Sequence, residues 1–370
     1  MNSKGKLGFG LMRLPRLEDK SIDLEQSKKM VDLFIEAGFC YFDTAYVYEG
    51  SEDATREILV NRYPRDRYLL ASKMAAWADC STREDAVKQL DESLRRTGAG
   101  YFDYYLLHNL GDERTELYDR FDLWSFVKDM KNEGRIRRAG FSFHSTADEL
   151  DEILIKHPEA DFVQLQINYA DWENDRIQSR ACYETALRHG KQIIVMEPVK
   201  GGLLATPPVG VRKIFESVEK DSSPASWAVR FAADLEGVVT VLSGMSSIEQ
   251  TEDNISAMRN FNGLSQKHRE ALKRAMEELS KQKTVPCTSC CYCVKVCPEN
   301  IAIPETFSAL NNYMLYGGRE RQKKELELLY EEKKEPSDCI RCGRCESACP
   351  QHISIRDELV KASEELGLKR

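Results

Sequence analysis

Eight of the twelve cysteines in this chain fall in two runs of identical spacing towards its C-terminal end. Cys287, Cys290, Cys293 and Cys297 follow C-x2-C-x2-C-x3-C, with Pro298 next. Cys339, Cys342, Cys345 and Cys349 repeat the pattern, with Pro350 next. Structural zinc uses separated C-x2-C pairs, four ligands in all. Disulfides need an oxidising compartment. The opening MNSKGKLGFG has no apolar stretch of the signal-peptide kind, so a cytoplasmic location with reduced thiols is expected. Three thiolates at steps of three residues let one short loop wrap three corners of an iron–sulfur cube. The fourth leaves on a turn set by proline and ligates the other cluster. The spacing therefore predicts two [4Fe–4S] clusters. One takes Cys287, Cys290, Cys293 and Cys349; the other takes Cys339, Cys342, Cys345 and Cys297. Cys291 is an extra thiol inside the first run and reads as a bystander. Cys40, Cys80 and Cys182 are scattered and read as ordinary semi-buried residues.

A chain of 370 residues is comfortable for one large domain plus one small one. With 42% hydrophobic and 31% charged residues it can fill a core. A net charge of −8 argues against nucleic-acid binding, which shows a basic footprint. No apolar run approaches the ~20 residues that span a bilayer. Over residues 285–355 the cysteine runs resemble the dicluster ferredoxin module, of the helical type with a long insert between motifs. That insert includes RERQKKELELLYEEKKE (319–335), a polar helix with apolar Leu326, Leu329 and Tyr330.

From Leu7 to about Gly263 short β-rich runs alternate with amphipathic helical stretches. The strand candidates are residues 7–12, 41–45, 68–73, 101–108, 137–143, 162–168, 192–198 and 238–244. A helical pattern fills nearly every gap. In DLEQSKKMVDLFIEAG (23–38), Met30, Val31, Phe34 and Ile35 lie near one face and Gly38 reads as the C-cap. Eight β-α units in about 250 residues predict an α/β fold, a (β/α)8 TIM barrel, followed by a small, mainly helical dicluster ferredoxin-like domain. A doubly wound sheet is the rival, but no GxGxxG follows the first strand. The expected boundaries are a barrel over 1–264, a helical linker over 265–285, with a charged amphipathic helix at 265–283, and the cluster domain over 286–370.

Chemistry in a TIM barrel gathers where strands end at the C-terminal face. Asp43 lies near the end of the second strand, Tyr48 in its loop, Lys73 at the end of the third and His108 at the end of the fourth. Carbonyl reduction needs a hydride at carbon and a proton at oxygen. A tyrosine can give the proton, but an ordinary phenol has pKa ≈ 10. A nearby Lys73 ammonium favours the phenolate and lowers that value. Asp43 would hold Lys73, and His108 can hydrogen-bond the carbonyl.

FDTAYVYEGSE (42–52), LLASK (69–73) and YYLLH (104–108) resemble the tetrad segments of the aldo-keto reductases. The resemblance covers nearly the whole barrel. It implies Asp43, Tyr48, Lys73 and His108 as the tetrad, with Tyr48 the acid/base. It implies that Ser142 in GFSFHS and Gln164 in VQLQINY meet the nicotinamide carboxamide. It implies that SGMSSIEQTEDN (243–254), with Gly244, Ser246, Gln250 and Asn254, holds the adenosine phosphate end. A helix N-terminus there suits an anion. Met196 stands where many members stack a tyrosine on the nicotinamide. Gly244 and Gln250 stand where NADPH-dependent members often have Lys and Arg, and Arg is the natural binder of a 2′-phosphate. The cofactor is therefore NADPH or NADH. Asn109 follows His108 where a pocket tryptophan is common; Trp77 and Trp172 lie in loops that could line the pocket.

Hydride transfer moves two electrons together, whereas a [4Fe–4S] cluster takes one at a time. A flavin would convert between them, and no secure flavin motif is present. Three arrangements remain open. The clusters exchange electrons with a redox protein partner, or they are structural or sensing, or the barrel is a scaffold for an electron carrier. The expected small-molecule substrate is a carbonyl compound or an alcohol, with no nucleic acid and no membrane as partner.

Overall fold

The computed structural model describes residues 5–78, 80–111, 113–175, 177–281, 284–316, 318–330 and 333–368. Residues 282, 283, 331 and 332, at the ends of two expected helices, lie outside the described residues. By internal packing the chain divides into two units. The first is Met1–Pro198 with Ala225–Ser265; the second is Val199–Pro224 with Gln266–Arg370.

The first unit is built on a closed, all-parallel barrel in which each strand pairs with its neighbours in chain order. The strands are β1 (Leu7–Gly10), β2 (Tyr41–Asp43), β3 (Leu69–Met74), β4 (Phe102–Leu110), β5 (Ile136–Phe143), β6 (Phe162–Gln166), β7 (Gln192–Met196) and β8 (Val238–Ser243). β8 closes on β1, with Gly8 opposite Leu242. All eight expected strands form. Several stop earlier than the apolar runs suggest, because the last residues of those runs leave the ladder to build loops.

Alternate residues of a strand face opposite sides. Tyr41, Ala71, Leu106, Phe162, Ile194 and Leu242 form one buried cluster. Gly8 and Gly140 occupy the corresponding places in β1 and β5. A Cβ on Gly8 would lie 2.6 Å from Thr240 and 2.8 Å from Leu242; one on Gly140 would lie 2.4 Å from the Phe162 carbonyl oxygen. The Tyr104 ring meets Tyr41 and Phe162 edge-on, each at 5.1 Å. This apolar plug closes the barrel interior. Two residues beyond each plug position, on the same side of the sheet, stand Gly10, Asp43, Lys73, His108, Ser142, Gln164, Met196 and Gly244.

The other side of the strands packs on helices. Phe34, from the helix Leu24–Glu36, meets Phe9, Phe39 and Phe42 at 5.3–5.5 Å. The Asp23 side chain caps that helix by accepting from the Gln26 amide. Ala37 is its C-cap, and Gly38, expected as the cap, follows at φ 93°. The helix Arg83–Thr97 starts in a Thr82–Asp85 capping box and ends at Gly98, φ 66°.

By packing, the second unit gathers two stretches of the chain. Val199–Pro224 lies between β7 and β8 in sequence, where the barrel was expected to continue, yet it groups with the cluster segment. The expected linker forms the helix Gln266–Leu279, which packs on the helix Val209–Glu216. The reason is amphipathic pairing: Val211 and Phe215 are buried on one helix, Ala271, Leu272 and Ala275 on the other.

The cysteine runs are halves of a structural repeat with a shift of 52 residues, as Cys287→Cys339 shows. Left-handed residues recur at matching places: Ser289 and Arg341, Cys291 and Gly343, Asn300 and His352. A short helix follows within each run, Tyr292–Lys295 and Arg344–Ser347. Ile301 and Ile303 correspond to Ile353 and Ile355, and all four are buried. Each half then enters a longer helix, Ile303–Tyr316 or Ile355–Leu366. The inserted helix Arg319–Leu329 buries Leu326 in the same core, with Leu329 and Tyr330 packed against it.

Candidate active site and cluster cavities

The plug arithmetic puts the expected reacting groups on one rim. Lys73 and His108 are not the last residues of β3 and β4, which run on to Met74 and Leu110. Lys73 and Asp43 are almost fully buried, at 1% and 4% exposure. The Lys73 ammonium donates to Asp43 Oδ1 and, at 2.8 Å, to the Thr44 carbonyl. Burial pushes the Lys73 ammonium down and the Asp43 carboxyl up; each partner opposes the shift of the other. Lys73 Nζ lies 4.9 Å from the centre of the half-buried Tyr48 ring. The His108 ring stands edge-on to Tyr48 at 5.8 Å and at a similar distance from Trp77.

Backbone contacts fix these groups. The His108 carbonyl accepts from Trp77 Nε1 at 2.9 Å and from the buried Tyr118 hydroxyl. Trp77 thus belongs to the site's wall. Trp172 packs instead on Tyr183 and Phe231, at 5.5 Å from each. Asn109, with φ 63°, donates its amide to Ser142 Oγ at 2.7 Å. A serine oxygen that already accepts can turn its own proton towards a ligand carbonyl. Gln164 donates to Asp43 Oδ2 at 3.3 Å, tying the expected carboxamide ligand to the ion pair. Met196 ends β7 half-buried, paired with Gln166.

Gly244 and Ser246 are exposed on the β8 loop, and Gln250 is exposed in the first turn of the helix that follows. The Gln250 side chain is engaged within that loop, accepting from the Ser246 amide at 2.8 Å. Ser246 Oγ donates to the Arg13 carbonyl at 2.8 Å. A Cβ on Gly244 would lie 3.2 Å from Arg13 Cδ. Asn254 is buried and donates to the Gln250 carbonyl, so it acts inside the helix Ile248–Met258. Ser247, not singled out in the sequence, caps that helix. The Ser247-x-x-Gln250 spacing was the available signal. A helix start beside neutral side chains suits an anionic nucleotide end.

Sequence reasoning also passed over two buried polar sets. Gln166 and Asn168 both donate to Asp171, at 2.9 and 2.8 Å, and Asn168 bridges to the Glu197 carbonyl. Glu52 accepts from Ser72 at 2.7 Å and from Arg96 at 3.3 Å. Glu52 stood within a quoted segment, but its partners are 20 and 44 residues away.

In the second unit two pockets lie within the repeat. Cys287, Cys290, Cys293 and Cys349 line the first, with Ile303, Phe307 and Ile355 among the walls. Cys297, Cys339, Cys342 and Cys345 line the second, with Ile301, Ile303 and Leu359. The fourth cysteine of each run faces the other run's cavity. Cys291 also lines the first cavity. Burial pushes the Cys287 and Cys345 thiols up to about 11, so bound iron would be needed to hold them as thiolates. Among the described residues no three Cys, His, Asp or Glu side chains converge as a single metal ion requires. Four thiols around an apolar space fit a cluster.

The fold is a closed, eight-stranded parallel barrel whose mouth carries buried polar side chains. The profile of the aldo/keto reductase family matches residues 6–277, and that of the 4Fe-4S dicluster domain matches 286–354. The chain belongs to the aldo/keto reductase family, with a dicluster domain behind the barrel. An aldo-keto reductase of Mycolicibacterium smegmatis is 28% identical over 141 residues, 38% of this chain and 46% of that protein. AKR2E4 of Bombyx mori is 30% identical over 149 residues, 38% of this chain and 47% of its own length. The chain thus spans about half the length of these curated relatives. The uncharacterized oxidoreductase YqkF of Bacillus subtilis is 25% identical and matches 68% of this chain and 86% of its own. Among solved structures, a Klebsiella pneumoniae aldo/keto reductase in complex with NADP and acetate superposes with TM-score 0.58 at 21% identity. It covers 73% of this chain and 90% of its own. AKR11C1 of Bacillus halodurans gives 0.57 at 24%, covering 73% and 91%. These likenesses show the fold. No helix among the described residues is long and apolar enough to cross a membrane.

Proposed function

We propose that the chain is an NAD(P)H-linked oxidoreductase that reduces an aldehyde or ketone, or runs the reverse oxidation of an alcohol or sugar. The observation that supports this most is the buried Asp43–Lys73 pair with its ammonium 4.9 Å from the Tyr48 ring centre. A phenol beside a buried cation releases its proton more readily than in water. Tyr48 gives that proton to the carbonyl oxygen in reduction and takes it back in oxidation. Asp43 holds Lys73, and His108, whose ring stands edge-on to Tyr48, orients the carbonyl. Ser142 and Gln164 would hold the carboxamide, Met196 would line the nicotinamide site, and Gly244, Ser246 and Gln250 would receive the phosphate end, with Asn254 acting inside the helix Ile248–Met258. The nicotinamide, when bound, supplies or accepts the hydride. Tyr48→Phe tests the reading across a panel of aldehydes and ketones with NADPH and with NADH. Turnover is expected to fall about 10²–10⁴-fold with unchanged thermal stability; unchanged turnover rejects it.

For the second unit the proposed ligand sets are Cys287, Cys290, Cys293 and Cys349 for one [4Fe–4S] cluster, and Cys339, Cys342, Cys345 and Cys297 for the other. A role in passing electrons to a redox protein partner is favoured by one contrast. Cys293, Cys345 and Cys349 are buried, whereas Cys342 is exposed and Ile340, two residues before it, is 61% exposed. An apolar residue beside a solvent-facing ligand suits transient docking. Anaerobic mixing with NADH or NADPH, followed by EPR, tests whether the clusters also communicate with the nicotinamide. A reduced-cluster signal supports communication within one chain. Its absence, with dithionite still reducing the clusters, leaves the external partner or a structural role.

A further inference from the structure

The loop that carries Tyr48 is fastened by a carboxylate that plays no part in the proposed proton transfer. Glu52 lies in the short helix Ser51–Thr55, which starts three residues after Tyr48, and its side chain is 1% exposed. Its Oε1 accepts from Ser72 Oγ at 2.7 Å, and Ser72 directly precedes Lys73 in β3. Its Oε2 accepts from Arg96 at 3.3 Å. The same Arg96 nitrogen donates to the Tyr46 carbonyl at 3.1 Å, and the guanidinium lies 4.5 Å from the centre of the Tyr46 ring. The Tyr46 amide donates to the Lys73 carbonyl at 3.1 Å. Tyr46 is therefore held on its amide by β3 and on its carbonyl by Arg96. Two residues further on, the Tyr48 carbonyl accepts from Ser51 at 3.0 Å. Ser51 Oγ meets Thr44 Oγ1 at 2.7 Å, and Thr44 carries the carbonyl that receives Lys73. Glu52 thus joins three elements: the Tyr48 loop, the strand of Lys73 and the helix Arg83–Thr97.

Burying a carboxylate is costly without full pairing. Here burial itself pushes the Glu52 carboxyl up, against Ser72 and Arg96. The ionisable groups around it are Arg96 and Glu92 from the helix, Lys73 from β3 and Tyr105 from β4. Of these, Lys73 has Glu52 as its second anion after Asp43.

We propose that Glu52, through Arg96 and Ser72, is a positioning residue that fixes the Tyr48 loop against β3 and sets the field at Lys73. The proposal rests on the reading of Tyr48 as proton donor and deepens it. A negative charge favours the protonated form of each neighbour, so its removal makes both Lys73 and Tyr48 lose protons at lower pH. The test compares Glu52→Gln and Arg96→Lys with wild type and Tyr48→Phe, using NADPH and 4-nitrobenzaldehyde, over a full pH range. A second readout is the ultraviolet difference titration of the Tyr48 phenol, taken against the same background with Tyr48→Phe. Glu52→Gln is expected to lower kcat at least tenfold and to move the alkaline limb, and the phenol titration with it, about one pH unit downward. Arg96→Lys keeps the charge but loses the fork, so kcat falls while the limb stays in place. A Glu52→Gln protein with unmoved limb and unmoved phenol titration overturns the proposal. If that variant does not fold, an Arg96→Lys protein with wild-type kcat overturns it instead. Should Tyr48→Phe keep full turnover, the proton-donor reading fails first, and the phenol titration still reports on Glu52.

Discussion

The two units solve the same problem, holding polar chemistry inside an apolar core, in opposite ways. In the barrel the core is complete by itself. Tyr41, Ala71, Leu106, Phe162, Ile194 and Leu242 fill the interior, and Asp43, Lys73 and His108 stand two residues higher on a finished floor. In the second unit the cysteines are part of the core. Cys293, Cys345 and Cys349 are counted among its buried residues, with Ile301, Ile303, Phe307, Leu310, Ile353 and Leu359. The barrel's polar pair, Asp43 and Lys73, is satisfied by protein atoms alone. The thiols of the second unit surround space that protein atoms do not fill. The lesson is that the barrel's core is finished by protein atoms, whereas the proposed clusters would complete the core of the second unit.

The largest expected effect breaks this comparison most directly. Removing both clusters anaerobically with an oxidant and an iron chelator should abolish hydrogen-exchange protection in the helices Ile303–Tyr316 and Ile355–Leu366. The amides of β1–β8 should stay protected. Equal loss in both units would show that the barrel is not independent. Next comes the buried pair. Lys73→Met leaves Asp43 buried without its cation, at a cost of about 3–5 kcal/mol near neutral pH. Without Lys73 the folded-state pKa of Asp43 lies further above its unfolded value. The folded state then binds the extra proton between those values, and stability falls as pH rises through the window. The deficit should therefore shrink as pH drops towards the ordinary carboxylate range, about 4. Denaturant unfolding across pH reads this, and a deficit independent of pH would contradict it.

A smaller effect lies where the β7–β8 connection joins the second unit. Gly201 has φ 63°, and a Cβ there would lie 2.4 Å from the carbonyl oxygen of Thr288, next to Cys287. Because the obstacle is backbone, Gly201→Ala should cost about 1–3 kcal/mol and lower the iron retained per chain. Wild-type iron content and stability would show that this approach is not tight. The smallest effect comes from the repeat. Cys291 takes a left-handed conformation, φ 63°, where the other half has Gly343 at φ 80°. Cys291→Gly relieves about 1–2 kcal/mol of backbone strain, offset in part by the entropy of a new glycine. A net gain of about 0.5–1 kcal/mol in unfolding free energy is expected, with both clusters retained. A loss would mean that the Cys291 thiol contributes to the first cavity.

Much of this protein was legible in its sequence because the relevant signals are local. Short β-rich runs with a helical period between them marked all eight strands. Cysteine spacing within ten residues marked both cavities, since one loop must wrap three corners of a cube. Strand ends pointed to Asp43, Lys73 and His108 because a barrel presents every strand end on one face. What remained hidden depends on contacts between residues far apart in sequence. Nothing near Glu52 announces Ser72 or Arg96; the two contacts exist only because the short helix after Tyr48 folds back between β3 and its following helix. Nothing near Trp77 or Trp172 says that one donates to the His108 carbonyl while the other packs on Tyr183 and Phe231.

The grouping of Val199–Pro224 with the C-terminal segment is of the same kind. Its β-α position argues for the barrel, and only the pairing of two amphipathic faces, Val211 and Phe215 against Ala271, Leu272 and Ala275, moves it. The sequence by itself determined which elements form and which side chains are the candidates for chemistry, because period, spacing and ligand count are local properties. The tertiary structure alone decided which of those side chains are clamped, by what, and which connection serves which unit, because burial and hydrogen bonding belong to pairs of residues that only folding brings together.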